Sequence, residues 1–193
     1  MGLDEFDFGQ TPVDPEQISG LRIHMVSSLA QINSLEQANI NEALRWLLTK
    51  RSISNLLTES FIRRLHKRMF GQVWKWAGEY RKTDTNIGLK WYLIPTELHL
   101  LLADVQYWIL NSTYSPIEIA IRFKFRLVTI HCFPNGNGRH ARLMADLVMR
   151  YQFNLPRFSW GKSLKGDVRA KYLEAIIMAS KGDIKPLIEF AIS

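Results

Sequence analysis

The stretch His131-Cys132-Phe133-Pro134-Asn135-Gly136-Asn137-Gly138-Arg139-His140-Ala141-Arg142 concentrates residue types suited to phosphate chemistry. A glycine-rich turn that runs into a helix leaves backbone N–H groups unpaired. The positive end of the helix dipole adds to them and makes an anion hole. Gly136 and Gly138 let the backbone come close to an anion, and Arg139 and Arg142, three apart, share a helix face and can reach one polyphosphate. Arginine at a helix N-terminus opposes the dipole, which points to a role other than stability. His131, ahead of the turn, can accept a proton near neutral pH. Plainer readings stand beside these: His131 as a helix-end histidine bonded to a carbonyl, Phe133 as a core anchor, Cys132 as a small buried residue without an activating partner. A zinc site from His131, Cys132 and His140 matches no familiar ligand spacing.

Asn-Gly is also a hairpin signal, but a hairpin needs strands on both sides, and both flanks read as helix. Apolar spacing predicts helices over 35–49 (Leu35, Ile40, Leu44, Leu47), 55–70 (Phe61, Ile62, Leu65, Met69) and about 96–110, the last capped by Thr96 and burying Leu98, Leu101, Leu102, Val105 and Ile109. Ser115-Pro116-Ile117-Glu118 is a helix start, and that helix runs to Ile130 with Ile119, Phe123 and Leu127 inside. A helix from about Gly138 and two more, about 164–180 and 184–192, complete an essentially all-α chain. The exception is 83–94, where β-branched and aromatic residues, Gly88 and a terminating Pro95 predict a short β-hairpin.

The 193 residues and 47% hydrophobic content suit one domain with a full core. The apolar runs fall short of the ~20 residues of a membrane span, and the acidic opening is not that of an export signal. A single cysteine excludes an internal disulfide framework and suits a reducing compartment, so cytoplasmic residence is expected. A net charge of +7 favours polyanionic partners, nucleic acid or a phosphorylated small molecule. The run Arg63, Arg64, Lys67, Arg68 is either a nucleic-acid face or a solvated helix face.

The twelve residues at 131–142 resemble the Fic family motif HxFx(D/E)GNGRxxR, with one departure. The similarity extends over about 55–190, through "LHKRMFGQVWKWAGEYR", "IPTEL" and "RFKFRLVTIHCFPNGNGRHARLMADL". "GLDEFDFGQTPVDP" and "PNGNGRHARLMADL" look closest to the subfamily called mobile mystery protein B. The resemblance implies an all-α Fic-type helical bundle with a small β-hairpin flap, a Fic core at 55–193, and an N-terminal extension at 1–54. It implies transfer of AMP from ATP to a Ser, Thr or Tyr hydroxyl of a target protein, with Mg2+ or Mn2+. By position, His131 is then the general base, Gly136, Asn137, Gly138 and Arg139 hold the triphosphate, and Arg142 holds its terminal phosphate. The flap (Thr85, Asn86, Ile87, Gly88, Leu89) docks the target as an added strand. Asn135 replaces the usual acid and is a weak metal ligand, since an uncharged amide binds Mg2+ less tightly. Within a degenerate inhibitory helix at about 26–49, Ser27 matches the family's (S/T)xxxE(G/N) while Gln31 replaces its glutamate and cannot pair with Arg142. Glu36, more than a turn away, is a poor substitute. The alternatives are a weakly active or inactive nucleotide-binding regulatory module and, behind it, a nucleic-acid binder. A toxin-like protein with an antitoxin or DNA-associated partner, as monomer or homodimer, is compatible with either of the first two.

Overall fold

Four helices of the chain begin where a side chain takes up an orphan backbone N–H. Ser28 accepts from Gln31 N, Thr58 from Phe61 N, Ser115 from Glu118 N and Asp167 from Ala170 N, at 3.2, 3.2, 3.3 and 3.0 Å. The computed structural model describes residues 20–23 and 28–193. Among them the α-helices are α1 (Leu29–Leu48), α2 (Glu59–Phe70), α3 (Ile94–Leu110), α4 (Pro116–Ile130), α5 (Asn137–Phe153), α6 (Val168–Ser180) and α7 (Lys185–Ile192). The acidic opening, the stretch "GLDEFDFGQTPVDP" and Ser27 lie outside the described residues.

The helix ends follow the apolar periodicity, and α4 spans the residues its capping signal predicts. The starts differ more: α1 begins at Leu29 rather than 35, and α2 and α6 begin at Glu59 and Val168 rather than 55 and 164. The start of α3 differs as well. α3 begins at Ile94, after a 3-10 turn at Trp91–Leu93, with Pro95 inside its first turn and Thr96 within the helix rather than capping it. Proline is tolerated there because the first N–H groups of a helix have no intrahelical partner.

The expected β-hairpin at 83–94 is absent: residues 83–90 form an irregular loop, and the isolated bridge Leu21–Trp74 is the single β contact among the described residues. The groups a ladder would use are engaged elsewhere. The Arg81 guanidinium takes the carbonyls of Thr83 and Leu89, and the Asp84 carboxylate takes the Trp91 N–H and the Lys90 ammonium.

α4 packs along α5 as the central pair, flanked by α1 with α2, by α3, and by α6 with α7. One core runs through all of them. Leu98, Leu101 and Val105 of α3, Phe123 of α4 and Met144 and Val148 of α5 are fully buried, and Ile32, Ile40 and Leu47 of α1 join the same core. α1 thus packs on α2 as part of the bundle rather than around a core of its own.

Candidate active site

α4 ends on His131, which adopts the left-handed conformation (φ 56°, ψ 60°). That is costly for a residue with a Cβ, and Arg81 holds it. The Arg81 Nε donates to the His131 carbonyl at 2.6 Å, and Nη2 reaches the Ile130 carbonyl at 3.4 Å. Its backbone N–H donates to Cys132 O at 3.0 Å. Since the same guanidinium binds both ends of loop 83–90, one side chain joins that loop to the end of α4. The loop lies directly on the imidazole: a Cβ added at Gly88 would stand 2.5 Å from His131 Cβ.

His131 is buried, and neither ring nitrogen makes a well-formed hydrogen bond. Burial, and then the Arg81 charge, lower its pKa to about 4, against a weak opposing effect from the Val128 backbone. The imidazole is therefore neutral at pH 7 and able to accept a proton. Cys132 beside it is buried, and burial pushes its thiol up to about 12, so it carries no thiolate at neutral pH.

The turn is pinned from within and below. Asn137 accepts from Phe133 N at 2.9 Å and donates to Phe133 O at 2.7 Å, so its side chain braces the loop while its backbone opens α5. His66 of α2 accepts from Gly78 N through Nδ1 at 3.0 Å, which leaves Nε2–H to donate to the Asn135 carbonyl at 3.0 Å. Its ring stacks on Phe133 at 3.7 Å. Burial, with His140 next, holds the His66 pKa well below the usual imidazole value. His140 donates from Nε2–H to Ile62 O at 3.0 Å, and burial lowers its pKa to about 4.

Gly136 precedes α5 with φ 78°, and a Cβ there would meet the Phe70 ring at 2.6 Å, so the position admits only glycine without strain. Gly138 carries no such constraint; a Cβ there would meet open space. α5 starts with no side-chain cap, so the N–H groups at its N-terminus are available to an anion.

Arg139 and Arg142 leave the first turns of α5 in different settings. Arg139 forms a buried ion pair with Glu36 of α1 at 2.7 Å, and Glu36 also accepts from Trp74 Nε1 at 2.5 Å. Glu36, more than a turn beyond Gln31, thus pairs with the first arginine of the motif. Arg142 rests on the Tyr172 ring, 4.9 Å from its centroid. Gln31 sits exposed in the first turn of α1.

Asn135 offers a metal little. Its Oδ1 accepts from Gly136 N at 2.6 Å, and no group of three or more His, Cys, Asp or Glu among the described residues is placed to hold an ion. A protein-held divalent cation does not fit these side chains.

Three participants escape a reading of the motif alone: Arg81, His66 and Tyr172. Only His66 carries a sequence signal, its place four residues after Ile62 on the buried face of α2. Of the basic run on α2, Arg63 is bound by Gly78 O at 2.9 Å and Glu79 at 2.7 Å, and Arg68 lies over Trp46 at 5.1 Å.

The profile of the Fic/DOC family matches residues 56–149. The protein adenylyltransferases Fic of Drosophila virilis and Drosophila melanogaster are each 32% identical over 143 residues, covering 69% of this chain and 27% of theirs. A variant of Fic-1 from C. elegans superimposes with TM-score 0.66 at 26% identity, covering 91% of this chain and 51% of that one. BepC of Bartonella tribocorum, solved with bound AMPPNP, superimposes with TM-score 0.65 at 16% identity, covering 86% of each chain. The chain belongs to the Fic/DOC family. It spans about a quarter of the length of the Drosophila relatives. No helix among the described residues is long and apolar enough to cross a membrane.

Proposed function

We propose that the chain transfers AMP from ATP to a hydroxyl side chain of a target protein in the cytoplasm. The observation that carries this reading is the pairing of a neutral, buried His131 with an uncapped helix N-terminus and two arginines on the following turns. The relatives' activity supports it. In the reaction the target hydroxyl oxygen attacks the α-phosphorus of ATP as the bond to the β-phosphate oxygen breaks, and pyrophosphate leaves. His131 takes the hydroxyl proton. Its low pKa makes it a weak base alone, but a bound triphosphate adds negative charge close by and raises it toward neutrality. The N–H groups at the start of α5, with Arg139 and Arg142, offset charge on the phosphates. Loop 85–89, with Ile87 exposed and Gly88 against His131, is the surface on which the target lies.

No step is assigned to a protein-bound metal. A divalent ion such as Mg2+ or Mn2+ would enter on the oxygens of ATP rather than on a carboxylate of the chain. The experiment is incubation with ATP labelled at the α-phosphate and a cell extract, for wild type and His131→Ala. Label on protein that disappears with His131→Ala supports the reading; label unaffected by the substitution contradicts it.

One observation favours a second reading, a nucleotide-binding regulatory module. Asn135 spends its amide oxygen on Gly136. ATP binding without transfer, together with transfer appearing in Asn135→Asp, would establish that reading instead.

A further inference from the structure

Lys124 of α4 is fully buried and has no part in the site as described so far. Its Nζ donates to the Tyr172 hydroxyl at 2.6 Å and stands 4.5 Å from the centroid of that ring. The Arg142 guanidinium lies 4.9 Å from the same centroid. Two cations, from α4 and α5, therefore meet on one phenol from α6. Tyr172 is itself buried and packs against Phe190 of α7 at 5.3 Å between ring centroids. It lies beyond residues 56–149, the segment the family profile matches.

A guanidinium over an aromatic face is held there by the ring's quadrupole, more strongly where water is excluded. A ring bonded at its hydroxyl to a buried ammonium has one place to be. The electrostatics agree with the geometry. Burial raises the Tyr172 phenol, but Lys124 and Arg142 outweigh that and its pKa is lowered. The Lys124 ammonium is lowered by burial and by Arg142, against a raising influence from Tyr172.

We propose that Tyr172, fixed in place by Lys124, is a positioning residue that holds Arg142 ready for the terminal phosphate of a nucleoside triphosphate. α6 thereby sets the preference for a triphosphate over a monophosphate. This rests on the reading of residues 136–142 as the triphosphate site.

The test is calorimetric titration of the whole chain with ATP and with AMP, for wild type, Tyr172→Leu and Lys124→Met. Tyr172→Leu removes the platform and weakens ATP about tenfold, while AMP stays within about twofold, as the loss of one desolvated cation–π contact implies. Lys124→Met leaves the ring but loosens it, lowering the ATP-to-AMP ratio by about threefold. Where Tyr172→Leu fails to fold, Tyr172→Phe keeps the ring but removes its hydroxyl tie to Lys124, and it should lower the ATP-to-AMP ratio about threefold, as Lys124→Met does. An unchanged ratio in the folded variants, or ATP and AMP weakened in parallel, overturns the proposal and leaves Tyr172 a packing residue. A wild type that binds AMP as tightly as ATP removes the triphosphate site itself, a different failure.

Discussion

His131 owes its chemistry to two neighbours that do not belong to its motif. Arg81 holds its carbonyl, and Gly88 lies against its Cβ, so the imidazole is both aimed and desolvated. With its pKa at about 4 in the free protein, the base form prevails throughout neutral pH. The acid limb of kcat/KM for AMP transfer should therefore fall near pH 4 rather than near 6.5. Arg81→Met removes the second-largest cause of that lowering, so the acid limb should move upward, toward 6.5, with a fall in kcat as loop 83–90 loses its tie. A pH–rate profile of both proteins measures this. An unshifted limb in a folded Arg81→Met would show that burial alone sets the His131 pKa. Gly136 gives a prediction of stability. Its φ of 78° and the Phe70 ring 2.6 Å from a built Cβ mean that Gly136→Ala should cost about 2 kcal/mol or more in urea unfolding.

At the level of elements, the helices were legible because their signals are local. Leu98, Leu101, Leu102 and Val105 repeat at helical spacing, and Ser115 with Pro116 marks one start unambiguously. The motif was legible for the same reason: a turn, two glycines and two arginines are adjacent in sequence. What sequence could not show is which side chains from afar complete it. The hairpin failed because β-branched and aromatic residues report a preference for extended backbone, not whether a ladder partner is free. Here Arg81 and Asp84 occupy the backbone groups a ladder would need. Glu36 is placed by helical spacing relative to Gln31, not relative to α5. It bridges α1 to Arg139 in a buried pair. Removing one partner of such a pair leaves an uncompensated charge, so Glu36→Gln should destabilise the chain by about 3 kcal/mol. Urea unfolding at neutral pH reads this directly, and a change within ~0.5 kcal/mol would show that α1 is held by its apolar face alone.

For the molecule as a whole, the buried imidazoles set the pH response. His66, His131 and His140 all have pKa values below the unfolded value of 6.5, His131 and His140 at about 4. Between those limits the unfolded chain binds a proton on each that the native chain does not, so stability is present above pH 6.5 and is lost as pH falls toward 4. Asp146 works the other way. Burial raises it to about 6, so the native state gains a proton first as pH falls, offsetting one of the three. A net uptake of protons on unfolding near pH 5 is expected, measurable from the slope of unfolding free energy against pH. The same bundle carries the functional claim. Its most direct test is mass spectrometry of targets after incubation with ATP, wild type beside His131→Ala, with circular dichroism confirming that both are folded. AMP on a hydroxyl side chain with wild type and none with His131→Ala is the expected result. Equal modification by the two proteins would contradict it.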